Sequence, residues 1–144
     1  MEKEGVHYNF ISEREFLSRR DRGEFLEWAN VHGNLYGTMR ASVEQMLASG
    51  TDVILEIDVQ GAGQVKTNQP EAALIFIEAP SMQVLEQRLR NRKTEAPEDQ
   101  IRRLADAYDE LRKKQMFDGV VMNVDVEQAV QEVLSLMDQL KEDR

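Results

Sequence analysis

The sequence is short of several things at once. It has no cysteine. That removes disulfides, thiolate zinc sites and a cysteine nucleophile together, and it fits a reducing cytoplasm. Basic residues are outnumbered, 18 against 27 acidic, and the net charge is −9. A nucleic-acid partner is therefore not expected. No apolar run approaches the length of a membrane span, and the opening MEKEGVHYNF has no signal-peptide pattern. A membrane partner is not expected either. The two histidines, His7 and His32, stand far apart with no partner at ligand spacing. No metal–histidine site and no Ser/His/Asp order can be built from them. Tryptophan occurs once, as Trp28.

What is present suits one domain, or a domain with a small excursion, long enough at 144 residues to bury a core. Val6–Phe10 reads as a strand. Ser12 and Glu15 form a capping box for a short helix to about Arg20. Gly23 ends it, and a hairpin follows to Thr38. Thr38 can cap the next helix, whose inward face is Val43, Met46 and Leu47 and which Gly50 closes. The character then changes. Val53–Ile57 (VILEI), Ala73–Ile77 (ALIFI) and Val120–Met122 are apolar runs, as in strands buried on both faces of a parallel sheet. Gln60–Asn68 is a weak helix. Ser81 caps a helix bearing Val84, Leu85 and Leu89. A charged loop spans 91–98. A long helix to about Met116 carries Ile101, Leu104, Ala105, Tyr108 and Leu111. Asp125 and Gln128 form a second capping box, before a helix with Val130, Val133, Leu134, Met137 and Leu140. Alternating strands and helices predict an α/β layered core over residues 39–144, preceded by an antiparallel subdomain over 1–38.

Three groups of residues carry chemistry. The densest is Gly23–Thr38, GEFLEWANVHGNLYGT. Alternation from Phe25 to Val31, a turn at Gly33-Asn34 and a resumed strand predict a hairpin with Glu27 on one arm and Tyr36 on the other. A carboxylate accepts two hydrogen bonds in a plane, and a phenol offers one to an anion. That is a grip for a small molecule, or else an ordinary amphipathic hairpin. Glu56 and Asp58, two apart at the end of an apolar strand, share a face where open α/β sheets bind ligands. Two carboxylates there are costly without partners; the plainer reading is a strand-end loop contact. Arg88, Arg90, Arg92, Lys93, Arg102 and Arg103 flank the charged loop, as a phosphate lid or as a solvated helix face. The stretch GAGQVKT, 61–67, is not a phosphate loop, because Val65 rather than Gly precedes Lys66. A tight strand–helix turn accounts for its glycines.

Over essentially the whole chain the sequence resembles guanylate kinase. HYNFIS, GEFLEWANVHGNLYGT, VILEIDVQG, RLRNRKTE and VVMNVD occur in that family's order and spacing. The resemblance implies phosphoryl transfer from ATP, carried with Mg²⁺, to GMP. It implies that Glu27 accepts from the guanine amino and ring N–H groups, and that Thr38 and Asp58 contact the base. It implies that Tyr8 and Tyr36 bond the GMP phosphate, and that Glu56 lies at the floor of the site. Arg92 and Arg103 match the lid arginines that stabilise charge on the transferred phosphoryl, and Asn123 an asparagine near the adenine. Lys93 stands where a Gly is usual, and Val124 where an Asp usually follows.

The family begins with a strand and a glycine-rich P-loop carrying Lys and Ser/Thr. None of these is among the 144 residues. ATP is then expected to lack its cradle, with each missing group worth roughly 10² in rate. The chain alone is expected to bind GMP but to be weakly active or inactive. The missing strand would separate 53–57 from 73–77. Without it the chain is expected to be poorly stable, to close up, or to pair with a second chain. The rival reading is a non-catalytic module that binds a partner protein or phosphopeptide in place of GMP.

Overall fold

The computed structural model describes residues 4, 8–91 and 96–143. They form two units, Met1–Ala72 and Ala73–Arg144. No helix among the described residues is long and apolar enough to cross a membrane.

In the first unit, α1 (Glu13–Asp21) starts where the Ser12 hydroxyl accepts from the Glu15 N–H at 3.1 Å. Only half of the expected capping box is built. The Glu15 carboxylate turns away from the N-cap and takes Arg19 one turn on, at 2.8 Å. Phe16 is buried against Phe25, with ring centroids 4.4 Å apart, and Arg20 lies over the Trp28 ring at 5.1 Å. These contacts fix α1 to the hairpin of β1 (Phe25–Val31) and β2 (Asn34–Met39).

The hairpin turns one residue earlier than expected. Val31 pairs with Asn34, so the two-residue loop is His32-Gly33, with φ of 52° and 85°. Two positive φ values in a two-residue loop match the right-handed twist of the strands. The Asn30 side chain locks the loop by accepting from the Gly33 N–H at 2.9 Å. Asn34 is thereby freed to begin β2. The expected strand Val6–Phe10 is not seen in its described part. Tyr8 makes an isolated bridge to Glu4, and the Phe10 N–H goes to the Glu4 carboxylate at 2.6 Å. A side chain has taken the donor that a ladder would use. Val6 and His7 lie outside the described residues.

Thr38 does not cap α2 (Arg40–Ala48). The N-cap is Met39, which makes no side-chain bond. The orphan Arg40 N–H is met instead by the Glu24 carbonyl at 2.9 Å. Of the expected inward face only Val43 is buried; Met46 and Leu47 are exposed. Residues 53–57 are extended but unpaired, so the expected strand buried on both faces is not formed. Val53, Leu55 and Ile57 pack on Leu26, Val43 and Val65, while Ile54 is 68% exposed. An apolar β-branched run reads alike whether or not its backbone is paired. Helix α3 (Val59–Asn68) follows, with Asp58 as N-cap accepting from the Gly61 N–H at 2.7 Å. Gly61 and Gly63 therefore lie inside a helix, not in a strand–helix turn.

In the second unit, β3 (Ile75–Glu78) and β4 (Gly119–Met122) pair in parallel, Ile75 opposite Gly119. Between them run α4 (Met82–Arg90), whose Val84 N–H donates to Ser81 Oγ, and α5 (Pro97–Lys113). A short 3-10 turn, Lys114–Met116, leads into β4. Helix α6 (Val126–Glu142) packs on β4, with Leu136 against Gly119. The mixed fold is thus a small antiparallel sheet and a parallel sheet with flanking helices. Each face of the parallel pair is covered only in part, since Phe76 stands beside Val120 and Ile77 beside Val121. Phe76 and Val121 are buried; Ile77, Val120 and Met122 are exposed. Ile101 and Tyr108 of the expected α5 stripe are exposed, as are Val130 and Leu134 of α6, where Ala129 is the buried residue. The Asp125 cap accepts from Glu127, and the Gln128 side chain goes to Glu132 instead of back to the cap. The side chains of Leu85, Leu89 and Leu111 lie outside the described ones.

Candidate functional site

Glu27 is the one buried charged residue among the described residues, 8% exposed. A carboxylate in that position needs partners. The hairpin register supplies the first. Glu27 lies opposite Thr38, whose hydroxyl donates to Oε1 at 2.6 Å. Helix α3 supplies room for the other oxygen by what it omits. A Cβ on Gly61 would sit 3.2 Å from Glu27 Oε2 and 3.4 Å from Asp58 Oδ1. The missing side chain leaves room for Oε2 beside the first turn of α3, where helix N–H groups favour negative charge. Asp58 is held at the same spot by its bond to Gly61. One glycine therefore has the Glu27 and Asp58 carboxylates on its flanks.

Tyr36 shares the face of Thr38, two residues along β2. The Tyr8 ring meets it edge-on, with centroids 5.3 Å apart. Both tyrosines line a cavity of about 460 Å³, enclosed also by Phe10, Phe16, Phe25 and Met39. Glu27, Thr38 and Asp58 are not part of that lining. Glu56 is exposed, on the outward side of the extended run with Ile54 and Asp58. The two carboxylates share a face as expected. Neither carboxylate is costly there, because that face is open to water.

The structure thus brings together Tyr8 with Tyr36, and Glu27 with Thr38 and Asp58. In the second unit Arg103 lies on α5 and is exposed. Asn123 follows β4. Its N–H donates to the Glu78 carbonyl at 2.7 Å, and its carbonyl accepts from Arg88 at 2.9 Å. Arg102 is paired with Asp99. Arg92 lies outside the described residues, as does Lys93.

Sequence reasoning missed three residues of α3. Gly61 passed for a turn glycine. The Gln64 side chain holds both backbone groups of Trp28, accepting from its N–H at 3.0 Å and donating to its carbonyl at 2.9 Å. The Asn68 side chain donates to the Leu26 carbonyl at 2.8 Å. The only available signal was a pair of side-chain amides one helical turn apart.

A family model described as guanylate kinase matches residues 1–140. This chain belongs to the guanylate kinase family. It is 47% identical over 136 residues to the guanylate kinase of Symbiobacterium thermophilum, covering 94% of this chain and 64% of that one. To that of Thermotoga maritima it is 46% identical over 136 residues, covering 94% and 66%. A crystal structure of guanylate kinase from Anaplasma phagocytophilum superposes with a TM-score of 0.74 at 32% identity, over 96% of this chain and 67% of that one. The chain spans about two thirds of the length of these relatives. The shared fold includes the hairpin that carries Glu27 and Thr38.

Proposed function

We propose that the hairpin and the start of α3 form the GMP site of a guanylate kinase, and that the protein transfers a phosphoryl group from MgATP to GMP. The observation that carries this reading is the buried Glu27 carboxylate, bonded by Thr38 and left space by Gly61. A planar acceptor suits the guanine edge, where an amino group and a ring N–H lie side by side. Adenine presents a ring acceptor in the second position, so the carboxylate would repel it. Thr38 and Asp58 would complete the base contacts, with Glu56 at the floor. Tyr8 and Tyr36 would offer hydroxyls to the GMP phosphate. An oxygen of that phosphate attacks the terminal phosphorus of ATP. The bond to the ADP oxygen breaks, and GDP and ADP result. Mg²⁺ arrives with ATP as part of the substrate. Arg92 and Arg103 would balance charge on the group in transfer, and Asn123 would lie near the adenine.

The 144 residues contain no Gly-x4-Gly-Lys-Ser/Thr run. Assayed by themselves, they would bind GMP and turn over far below the roughly 1–100 s⁻¹ common for kinases. The cytoplasm, where GMP and ATP occur, is the proposed location. Titration of the chain with GMP and AMP, together with a coupled ADP assay, tests the proposal. Saturable GMP binding with AMP rejected supports it. Equal binding of both nucleotides, or a phosphopeptide bound in preference to GMP, would remove it. Turnover at ordinary rates would remove the statement about low activity alone.

A further inference from the structure

A two-stranded antiparallel hairpin leaves the outward backbone groups of each strand without a ladder partner. On β1 these include groups of Leu26 and Trp28, the neighbours of Glu27 on either side. Helix α3 takes them up with side chains. Gln64 bonds both the N–H and the carbonyl of Trp28, at 3.0 and 2.9 Å. Asn68 bonds the Leu26 carbonyl at 2.8 Å. A primary amide offers the same donor and acceptor as a peptide unit, so Gln64 does what a residue of a third strand would do.

The spacing is matched. Four helix residues rise about 6 Å, and two strand residues advance about 6.7 Å. Amides at i and i+4 of a helix can therefore reach alternate outward groups of a strand. Gly61 lies on the same stripe, three residues before Gln64, and meets the Glu27 carboxylate. Gly61, Gln64 and Asn68 form a row facing Glu27, Trp28 and Leu26. The Asn68 end is held in turn by Arg40, which donates to the Asn68 carbonyl at 3.3 Å.

We propose that Gln64 is a positioning residue for the Glu27 carboxylate, with Asn68 as its second anchor. The pair fixes the height and tilt of β1 against α3. Oε2 of Glu27 then stands beside Gly61, and the plane of the carboxylate is set before the base arrives. This rests on Glu27 as the reader of the guanine edge. The distinguishing readout is selectivity between GMP and IMP, which lacks the exocyclic amino group.

The test uses the protein with Gln64→Met, which keeps the side-chain length and removes both bonds. Expected is a loss of about tenfold in GMP affinity, with a smaller loss for IMP, so that the GMP-to-IMP ratio falls. Should Gln64→Met not fold, Gln64→Glu keeps the acceptor for the Trp28 N–H, and the same fall in ratio is expected. An unchanged ratio in a folded variant, or equal losses for both nucleotides, overturns the inference. An unaltered protein with no preference for GMP would overturn the site itself, and the inference with it.

Discussion

Thr38 spends its hydroxyl on Glu27, 2.6 Å away, and none of it on the helix that begins two residues later. Ser and Thr just ahead of a helix usually cap it. Here the buried carboxylate has the stronger claim, since a bond to a charged acceptor is about twice as strong as a neutral one. Thr38→Val should therefore leave α2 intact and Glu27 short of a partner. A loss of about 1–3 kcal/mol in urea unfolding is expected, with weaker GMP binding, and Thr38→Ser should restore both. A valine variant as stable as the parent would show that water replaces the hydroxyl at no cost.

Gly61→Ala should separate stability from binding. Alanine is favoured over glycine in a helix interior by about 1 kcal/mol. The added methyl would lie 3.2 Å from Glu27 Oε2, closer than most such contacts. Gly61 stands in the first turn of α3, where less of that preference is gained, and Ile57 Cβ would also lie 3.3 Å from the methyl, so the expected result is a melting temperature near the parent's together with reduced affinity for GMP. Thermal melts and nucleotide titration on the same sample check it. Affinity that is unchanged would mean that Glu27 has room to give way.

His32 holds φ at 52°, where a side chain is strained. His32→Gly should relieve that strain at the hairpin turn. A gain of roughly 0.5–1 kcal/mol is expected, less than the full strain because glycine also loosens the unfolded chain. Nucleotide affinity should not move, since His32 lies along the strand from Glu27 and outside the cavity lining that Tyr8 and Tyr36 share. A loss of stability would mean that the imidazole has a partner of its own.

Among the described residues, the Glu15 carboxyl is held away from its ordinary value. It lies below the ordinary glutamate value, chiefly through the hydrogen bond from Arg19; burial opposes this, and the charges of Arg19 and Arg22 add to it. A lowered folded value gives stability that is present above the unfolded value, about 4.3, and is lost as pH falls through the folded one. Carbon NMR of the Glu15 carboxyl should show the lowered midpoint, and Arg19→Met should return it towards the usual range. A midpoint that ignores the substitution would assign the shift elsewhere.

Local signals were legible wherever one residue settles one bond. Ser12, Ser81 and Asp125 all accept as caps, and the alternation around Trp28 gave the hairpin. What was not legible depended on distant partners. Val53–Ile57 has the composition of a paired strand, yet pairing is a property of two segments. Thr38 had two candidate partners, one local and one across the hairpin, and only the register decides between them. The carboxylates Glu27 and Asp58 could be named as candidates from their places in the chain. That both would flank Gly61 could not, because Gly61 reads as a turn glycine and offers no side chain.

The amides of Gln64 and Asn68 have a consequence for how this protein behaves when crowded. Fibre growth needs a ribbon that can accept a neighbour on both sides. One side of this hairpin is already occupied, by groups that cannot pass the pattern on to another molecule. Stacking through β1 is therefore blocked at the first layer, and the hairpin ends a ribbon instead of extending it.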